Sequence, residues 1–226
     1  MVDRYPEAMI ECLIVLFKEL YLNEDRLKEF TAIFNPQSIA IVGASRERKI
    51  GGLMVHNFLR AGYKGKIFPV NPAEGNILGL TAYPSVRDIP ESVDYVIIAV
   101  PAKIVPGIID DCIAKGVKVV QLFTAGFSET GEEEPARLER EMVARARRAG
   151  IRLIAPNCVG ISCPARLIPL ETTGVIGQPG DIAILAQSGG HTETLADMGL
   201  SRNIRFSKLI SFGNAADLML WISWNT

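Results

Sequence analysis

From Ser38 onward the chain alternates short, continuous apolar runs with segments whose apolar residues recur at helical spacing. The runs at 38–42, 66–70, 95–100, 117–122 and 152–154 are rich in Val and Ile. They show little polar alternation, as in strands of a parallel sheet covered on both faces. Between them the spacing predicts helices over 51–61, 103–115 and 132–149, and a short one over 85–89. The longest carries acids in its first turn, arginines in its last and Gly150 after it, and Thr130 with Glu133 reads as a capping box. This alternation predicts right-handed βαβ units in a doubly wound parallel sheet, with ligands in the crevice beyond the carboxyl ends of the strands.

Two further regions flank this unit. Before it, Met9, Leu13, Leu16 and Leu20 form an apolar stripe, so residues 1–26 are expected to be an amphipathic helical extension. The stretch is too short and too interrupted to be a membrane span or a signal peptide. After it, 160–181 is rich in Gly and Pro and reads as a linker. A second α/β unit then begins with a buried strand at 181–186, a helix to about Leu200 and a strand over 206–212.

Composition narrows the chemistry. The 226 residues are 48% hydrophobic and 22% charged, with a net charge of −1, so a large core is available and no basic field exists for nucleic acid or an anionic membrane. Four cysteines, Cys12, Cys112, Cys158 and Cys163, form no C-x-x-C pair, and with only two histidines no metal site is expected. They read as reduced thiols of a cytoplasmic protein.

The loops after the strands hold the candidate site. The first strand ends in Gly43-Ala44-Ser45, and Gly51-Gly52 opens the following helix, a place where a pyrophosphate meets backbone N–H groups. Arg46, Arg48 and Lys49 are nearby donors. Ser45 stands where a dinucleotide fingerprint has its second glycine, and such turns are also met as purely structural ones. The second strand ends in Asn71-Pro72 without the acid that holds nicotinamide-dinucleotide ribose, which suits a nucleotide carrying an extra ribose phosphate. Val100-Pro101 offers a flat apolar wall, Thr124-Ala125-Gly126 a close approach, and Pro156-Asn157-Cys158 closes the row. In the second unit, Ser188, Gly189 and Gly190 at a helix start form an anion cradle.

The ordered series Phe34-Asn35-Pro36, Ser38-Ile39-Ala40, Val42-Gly43-Ala44-Ser45, Gly51-Gly52, Gly62-Tyr63, Pro69-Val70-Asn71-Pro72, Val100-Pro101-Ala102, Gly126-Phe127 and Pro156-Asn157-Cys158 resembles the α part of NDP-forming acyl-CoA synthetases, of the ADP-forming acetate–CoA ligase type. It is similar, more distantly, to the α subunit of succinyl-CoA synthetase. The resemblance covers about residues 27–217. It implies a Rossmann-like coenzyme A-binding domain over 27–158 and an incomplete flavodoxin-like α/β domain over 159–226.

By motif, the Ser45–Gly52 loop would meet the coenzyme's phosphates. Asn71, Val100, Pro101 and 124–126 would line the nucleotide and pantetheine path, and Asn157 would sit near the thiol. The cradle would face a phosphohistidine. The implied reaction, acyl-CoA + phosphate + ADP giving acid, CoA and ATP, proceeds through an acyl phosphate and that phosphohistidine.

The family's histidine lies downstream of the cradle helix, and magnesium and ADP or ATP belong to an ATP-grasp domain or subunit that this sequence lacks. The chain alone is therefore expected to be inactive, and a homo-oligomer is possible. A stand-alone coenzyme A-binding module without catalysis is the competing expectation; a nicotinamide oxidoreductase is disfavoured by Ser45 and Asn71. Trp221 and Trp224 follow the family-like Gly213-Asn214-Ala215-Ala216-Asp217, and a shifted frame through 221–226 can restore a family-like continuation. A frameshifted or truncated end is thus expected.

Overall fold

The computed structural model describes residues 31, 33–47, 49–154, 156–170 and 178–217. The expected helix of 1–26, the side chain of Arg48 and the expected frame junction after Asp217 lie outside these residues.

Five strands, β1 (Ser38–Val42), β2 (Lys66–Val70), β5 (Tyr95–Ile98), β6 (Val119–Leu122) and β7 (Arg152–Ile154), form one parallel sheet in the order β2-β1-β5-β6-β7. Two two-residue strands, β3 (Asn76–Ile77) and β4 (Leu80–Thr81), make a small hairpin beside it. The α/β, Rossmann-like architecture expected from the alternation is the one observed. Because side chains alternate across a strand, Ile39, Ile41, Tyr95 and Ile97 fill one core layer while Ala40, Val42, Val96 and Ile98 fill the other. Helix α1 (Ile50–Ala61) places Met54, Val55 and Phe58 in the first of these layers; α2 (Val105–Lys115) and α3 (Glu133–Arg148) cover the second. Gly62 and Gly116 end α1 and α2 in left-handed backbone.

Three local expectations give way. Residues 85–89 form a turn rather than a helix, held by Ser85 Oγ donating to Asp88 at 2.8 Å. The capping box is not made: Glu132 is the residue before α3 and gives no side-chain cap, while Thr130 Oγ1 donates to the Phe127 carbonyl. Part of the expected linker is ordered structure, since β8 (Gly160–Ser162) joins a second sheet.

That second sheet runs β8-β10-β9, with β9 (Pro179–Ala186) parallel and β8 antiparallel to the central β10 (Phe206–Ser211). Helix α4 (Gly189–Ser201) packs on it through Ala196, above Leu209 and Phe206. The strand at 181–186 was expected to be buried and is not. Ile182 and Leu185 are about half exposed, because among the described residues β9 is an edge strand, paired with β10 along one side and with α4 packed against it.

The two units are joined by the segment after β10. Gly213 N–H donates to the Gln187 carbonyl and Asn214 N–H to that of Pro156. The Asp217 carboxylate, 1% exposed, accepts from the guanidinium groups of Arg147 and Arg152 and from Leu153 N–H at 2.8 Å. No helix among the described residues is long and apolar enough to cross a membrane.

Candidate functional site

The sheet order reverses direction between β1 and β5, so the strand ends on either side diverge and leave a crevice there. The crevice opens into a cleft of about 840 Å³ lined by Val100, Pro101, Thr124, Ala125 and Asn157 from the first unit and Ser188, Gly189 and Gly190 from the second. The first residue of α1, Ile50, also reaches it. Two helix N-termini, of α1 and α4, therefore converge on one cavity, and neither helix has an acid in its first turn. Among the described residues the lining includes no carboxylate and no cationic side chain. Such a cavity holds anions by unpaired first-turn N–H groups and helix dipoles.

A second, more apolar slot of about 330 Å³ lies alongside, lined by Gly43, Asn71, Pro72 and Val100 with Pro84, Val86, Ile104, Ile108 and Asp111. Val100 belongs to both cavities. The slot suits a flat heterocycle: apolar walls with one polar edge.

The remaining predicted residues build the loop instead of lining either cavity. Ala44 and Ser45 are buried. A Cβ on Gly51 would overlap the Gly43 carbonyl, and one on Gly52 would overlap the carbonyls of Glu47 and Ser45. These glycines let the helix start approach the strand end closely, and Gly43 takes a left-handed φ of 90° beside the Ala99 carbonyl. Asn71 works the same way. Its Nδ2 donates to the Ala44 carbonyl at 2.7 Å and its Oδ1 accepts from Ala73 N–H at 2.8 Å, fixing the first loop against the second. Thr124 Oγ1 donates to the Val100 carbonyl at 2.8 Å and ties β6 to β5 at the cleft floor. The cations are engaged: Lys49 pairs with Glu47 at 2.7 Å and Arg46 with Glu74 at 2.8 Å. The hydrogen bond from Lys49 lowers the Glu47 pKa, and the same contact raises that of Lys49.

Gly126 lines neither cavity. Its N–H donates to Glu129 Oε1 at 2.5 Å, and Phe127 N–H donates to Oε2 at 3.2 Å. Partial burial raises the Glu129 pKa, but hydrogen bonds from Asn214 and from these N–H groups outweigh it and leave the group below its ordinary value. Asn157 is left-handed, φ 58°, with its N–H on the Thr124 carbonyl at 3.0 Å.

At the cradle, Ser188 caps α4: its Oγ accepts from His191 N–H at 3.3 Å, which leaves the hydroxyl proton to donate. A Cβ on Gly189 would press on Val159, whereas one on Gly190 would meet nothing closer than 4.0 Å. No group of His, Cys, Asp and Glu able to hold a metal occurs among the described residues. Burial pushes the Cys112 thiol up to about 12, so it is inert. Sequence reasoning missed the slot's far wall, although Ile104, Ile108 and Asp111 recur at the spacing of one helix face.

The family model for a CoA binding domain matches residues 37–164, and that for a succinyl-CoA ligase like flavodoxin domain matches 179–220. The chain belongs to the CoA-binding domain family. It is 44% identical over 186 residues to the α subunit of acetate–CoA ligase (ADP-forming) II of Pyrococcus furiosus, a match covering 82% of this chain and 40% of that one. It is 38% identical over 191 residues to an ADP-forming acetate–CoA ligase of Methanocaldococcus jannaschii, covering 84% and 26% respectively. The apo structure of the dinucleotide-forming acetyl-coenzyme A synthetase 1 of Ca. Korarchaeum cryptofilum superposes with a TM-score of 0.74 at 40% identity, over 84% of this chain and 41% of that one. The chain thus spans about two-fifths or less of the length of these relatives, and the likeness to the α part of ADP-forming acyl-CoA synthetases stands.

Proposed function

We propose that this chain is the coenzyme A-binding part of an NDP-forming acyl-CoA synthetase, and that the cleft between its two units holds the reacting end of the acyl-CoA. The observation that carries this is the convergence of the α1 and α4 N-termini on one cavity with no carboxylate among its described lining residues.

The adenine fits the slot of Asn71, Pro72, Ile104 and Ile108, with Gly43 beneath it. The phosphates lie over the Ala44–Gly52 loop, where Lys49 and Arg46 exchange their carboxylate partners for phosphate oxygens. Pantetheine then runs past Val100, Pro101 and the 124–126 turn towards Asn157. Beyond the thiol, Ser188 Oγ–H and the N–H groups of Gly189 and Gly190 stabilise the phosphate that attacks the acyl carbonyl. Oriented donors of this kind act where charge develops.

The phosphohistidine, ADP and Mg2+ belong to other parts of the enzyme, including an ATP-grasp domain or subunit. A solved relative is described in complex with phosphate and ADP. His191 sits within the cradle's own helical turn, its N–H already on Ser188, so it is poorly placed to accept a phosphoryl group in line. That placement also keeps a second reading alive for this chain in isolation: a coenzyme A-binding module without catalysis.

A calorimetric and thermal-shift titration with CoA, NAD and NADP tests the proposal. CoA at a hundred times its dissociation constant should stabilise the protein by about 2.7 kcal/mol, and NAD should do nothing. Stabilisation by NAD and not by CoA would overturn it.

A further inference from the structure

Behind the cleft, four hydrogen-bonded groups connect its two walls. Asn214 follows β10, and the backbone next to it, Gly213 N–H, is bonded to the Gln187 carbonyl at 3.1 Å, on the cradle wall. The Asn214 side-chain amide donates to Glu129 Oε2 at 2.5 Å, to Glu139 Oε2 at 3.0 Å and to Ser128 Oγ at 3.1 Å. Glu129 in turn holds both N–H groups of the Gly126–Phe127 turn, next to Ala125 on the opposite wall. Glu139, 7% exposed, accepts from Ser128 N–H at 3.1 Å and Ser128 Oγ at 2.8 Å, which anchors the network to α3.

The chemistry of the pair is particular. A carboxylate can accept from two turn N–H groups and a third donor at once, and a side-chain amide supplies the donor without adding charge. Gln at 129 would keep the shape but offer a single acceptor oxygen, with its NH2 set against other donors. Gly126 has φ 104°, so its peptide is free to turn over unless something holds its N–H.

We propose that Glu129 and Asn214 are positioning residues that fix the 124–126 wall of the cleft relative to the Gln187–Gly190 wall, so that binding at one wall is felt at the other. This rests on the reading of the cleft as the coenzyme site. Neither residue lines the cavity: Glu129 acts through the turn, and Asn214 acts through Glu129 and also through Asn157, whose Nδ2 donates to its Oδ1 at 3.5 Å.

The test uses the 226-residue chain, labelled with 15N, as wild type, Glu129→Gln, Asn214→Ala, Asn214→Ser and the Glu129→Gln/Asn214→Ala double variant. Amide hydrogen exchange at Gly126 is read first, without ligand. Asn214→Ala does not touch Gly126, yet it should speed exchange there by about tenfold, as losing part of a charge-assisted bond implies. The double variant should add little to the larger single effect, because the two residues act on one path. CoA affinity should fall about five- to tenfold in parallel, by the same partial loss.

Asn214→Ser, whose hydroxyl is too short to reach Glu129, should behave like Ala and serves if Ala fails to fold. Glu129 is exposed on the surface, and its Gln variant decides the Gly126 arm in any case. Unchanged Gly126 exchange in folded variants, or additive effects in the double variant, overturns the relay. Wild type that fails to bind CoA overturns the coenzyme reading instead, while the exchange arm still decides the relay.

Discussion

Strands β1 and β9 carry the same kind of apolar run, and the protein treats them in opposite ways. Every residue of β1 is buried, sandwiched between β2 and β5 in the sheet and between two core layers. No residue of β9 is fully buried, and Ile182 and Leu185 face solvent among the described residues. Burial is thus a property of the layers around a strand and not of the strand. The first unit holds most of the core, one layer of which also takes in Ile161, Cys163 and Ile168. Among the described residues the second unit has one pairing partner for β9 and one thinly packed helix, so its free energy of folding leans on the ties to the first unit.

The largest effects should separate the two units. Phe58→Ala removes a fully buried ring from under β1 and should cost about 3–5 kcal/mol in denaturant unfolding. Leu185→Ala on β9 should stay within about 0.5 kcal/mol, as at an ordinary surface position. A loss at Leu185 as large as at Phe58 would mean that β9 is covered in solution, for example in an oligomer, and size-exclusion chromatography would show it.

Next comes the tie itself. Asp217→Ala leaves Arg147 and Arg152 facing a vacated acceptor and strips the Leu153 N–H of its partner. A loss of about 3 kcal/mol is expected, the lower end for breaking a buried pair because Arg147 is partly exposed. Limited proteolysis should then release the second unit before the first.

The expected apolar runs of β1, β5 and β6 were readable because continuous Val and Ile runs have few other uses. The cover on β9 was not readable from β9, since burial depends on neighbours. The β3–β4 hairpin escaped for a different reason: two-residue strands show no periodicity, and its turn puts Leu78 at φ 52°, where a hairpin signal would have Asn or Gly. Thr130 and Glu133 matched a capping box by spacing, but Glu133 is the first residue of the helix, Glu132 holds the cap position, and Thr130 is committed to Phe127.

At the site, the loops were found by their place after the strands, which topology dictates. What each residue does there was harder to read. Gly51, Gly52 and Asn71 bring loops together, and only coordinates distinguish close packing from ligand approach. The Glu129–Asn214 contact spans 85 residues, so no local pattern could show it.

A smaller pair of effects sharpens that distinction between packing and ligand approach. Gly51→Ala should destabilise by about 1–3 kcal/mol through overpacking against the Gly43 carbonyl. Gly190→Ala has open space around its new methyl group and should leave thermal stability unchanged or slightly raised. Equal costs at the two glycines would contradict the different roles assigned to them.

The central claim is that the cleft between the units is where coenzyme A lies, and filling the cleft tests it most directly. Ala125 is exposed and lines the cavity, so Ala125→Trp should fold with a wild-type melting temperature while occupying the pantetheine path. Calorimetric titration should show CoA affinity falling by tenfold or more, about 1.4 kcal/mol, in this variant. A folded Ala125→Trp protein that binds CoA as tightly as wild type would place the coenzyme elsewhere and contradict the account.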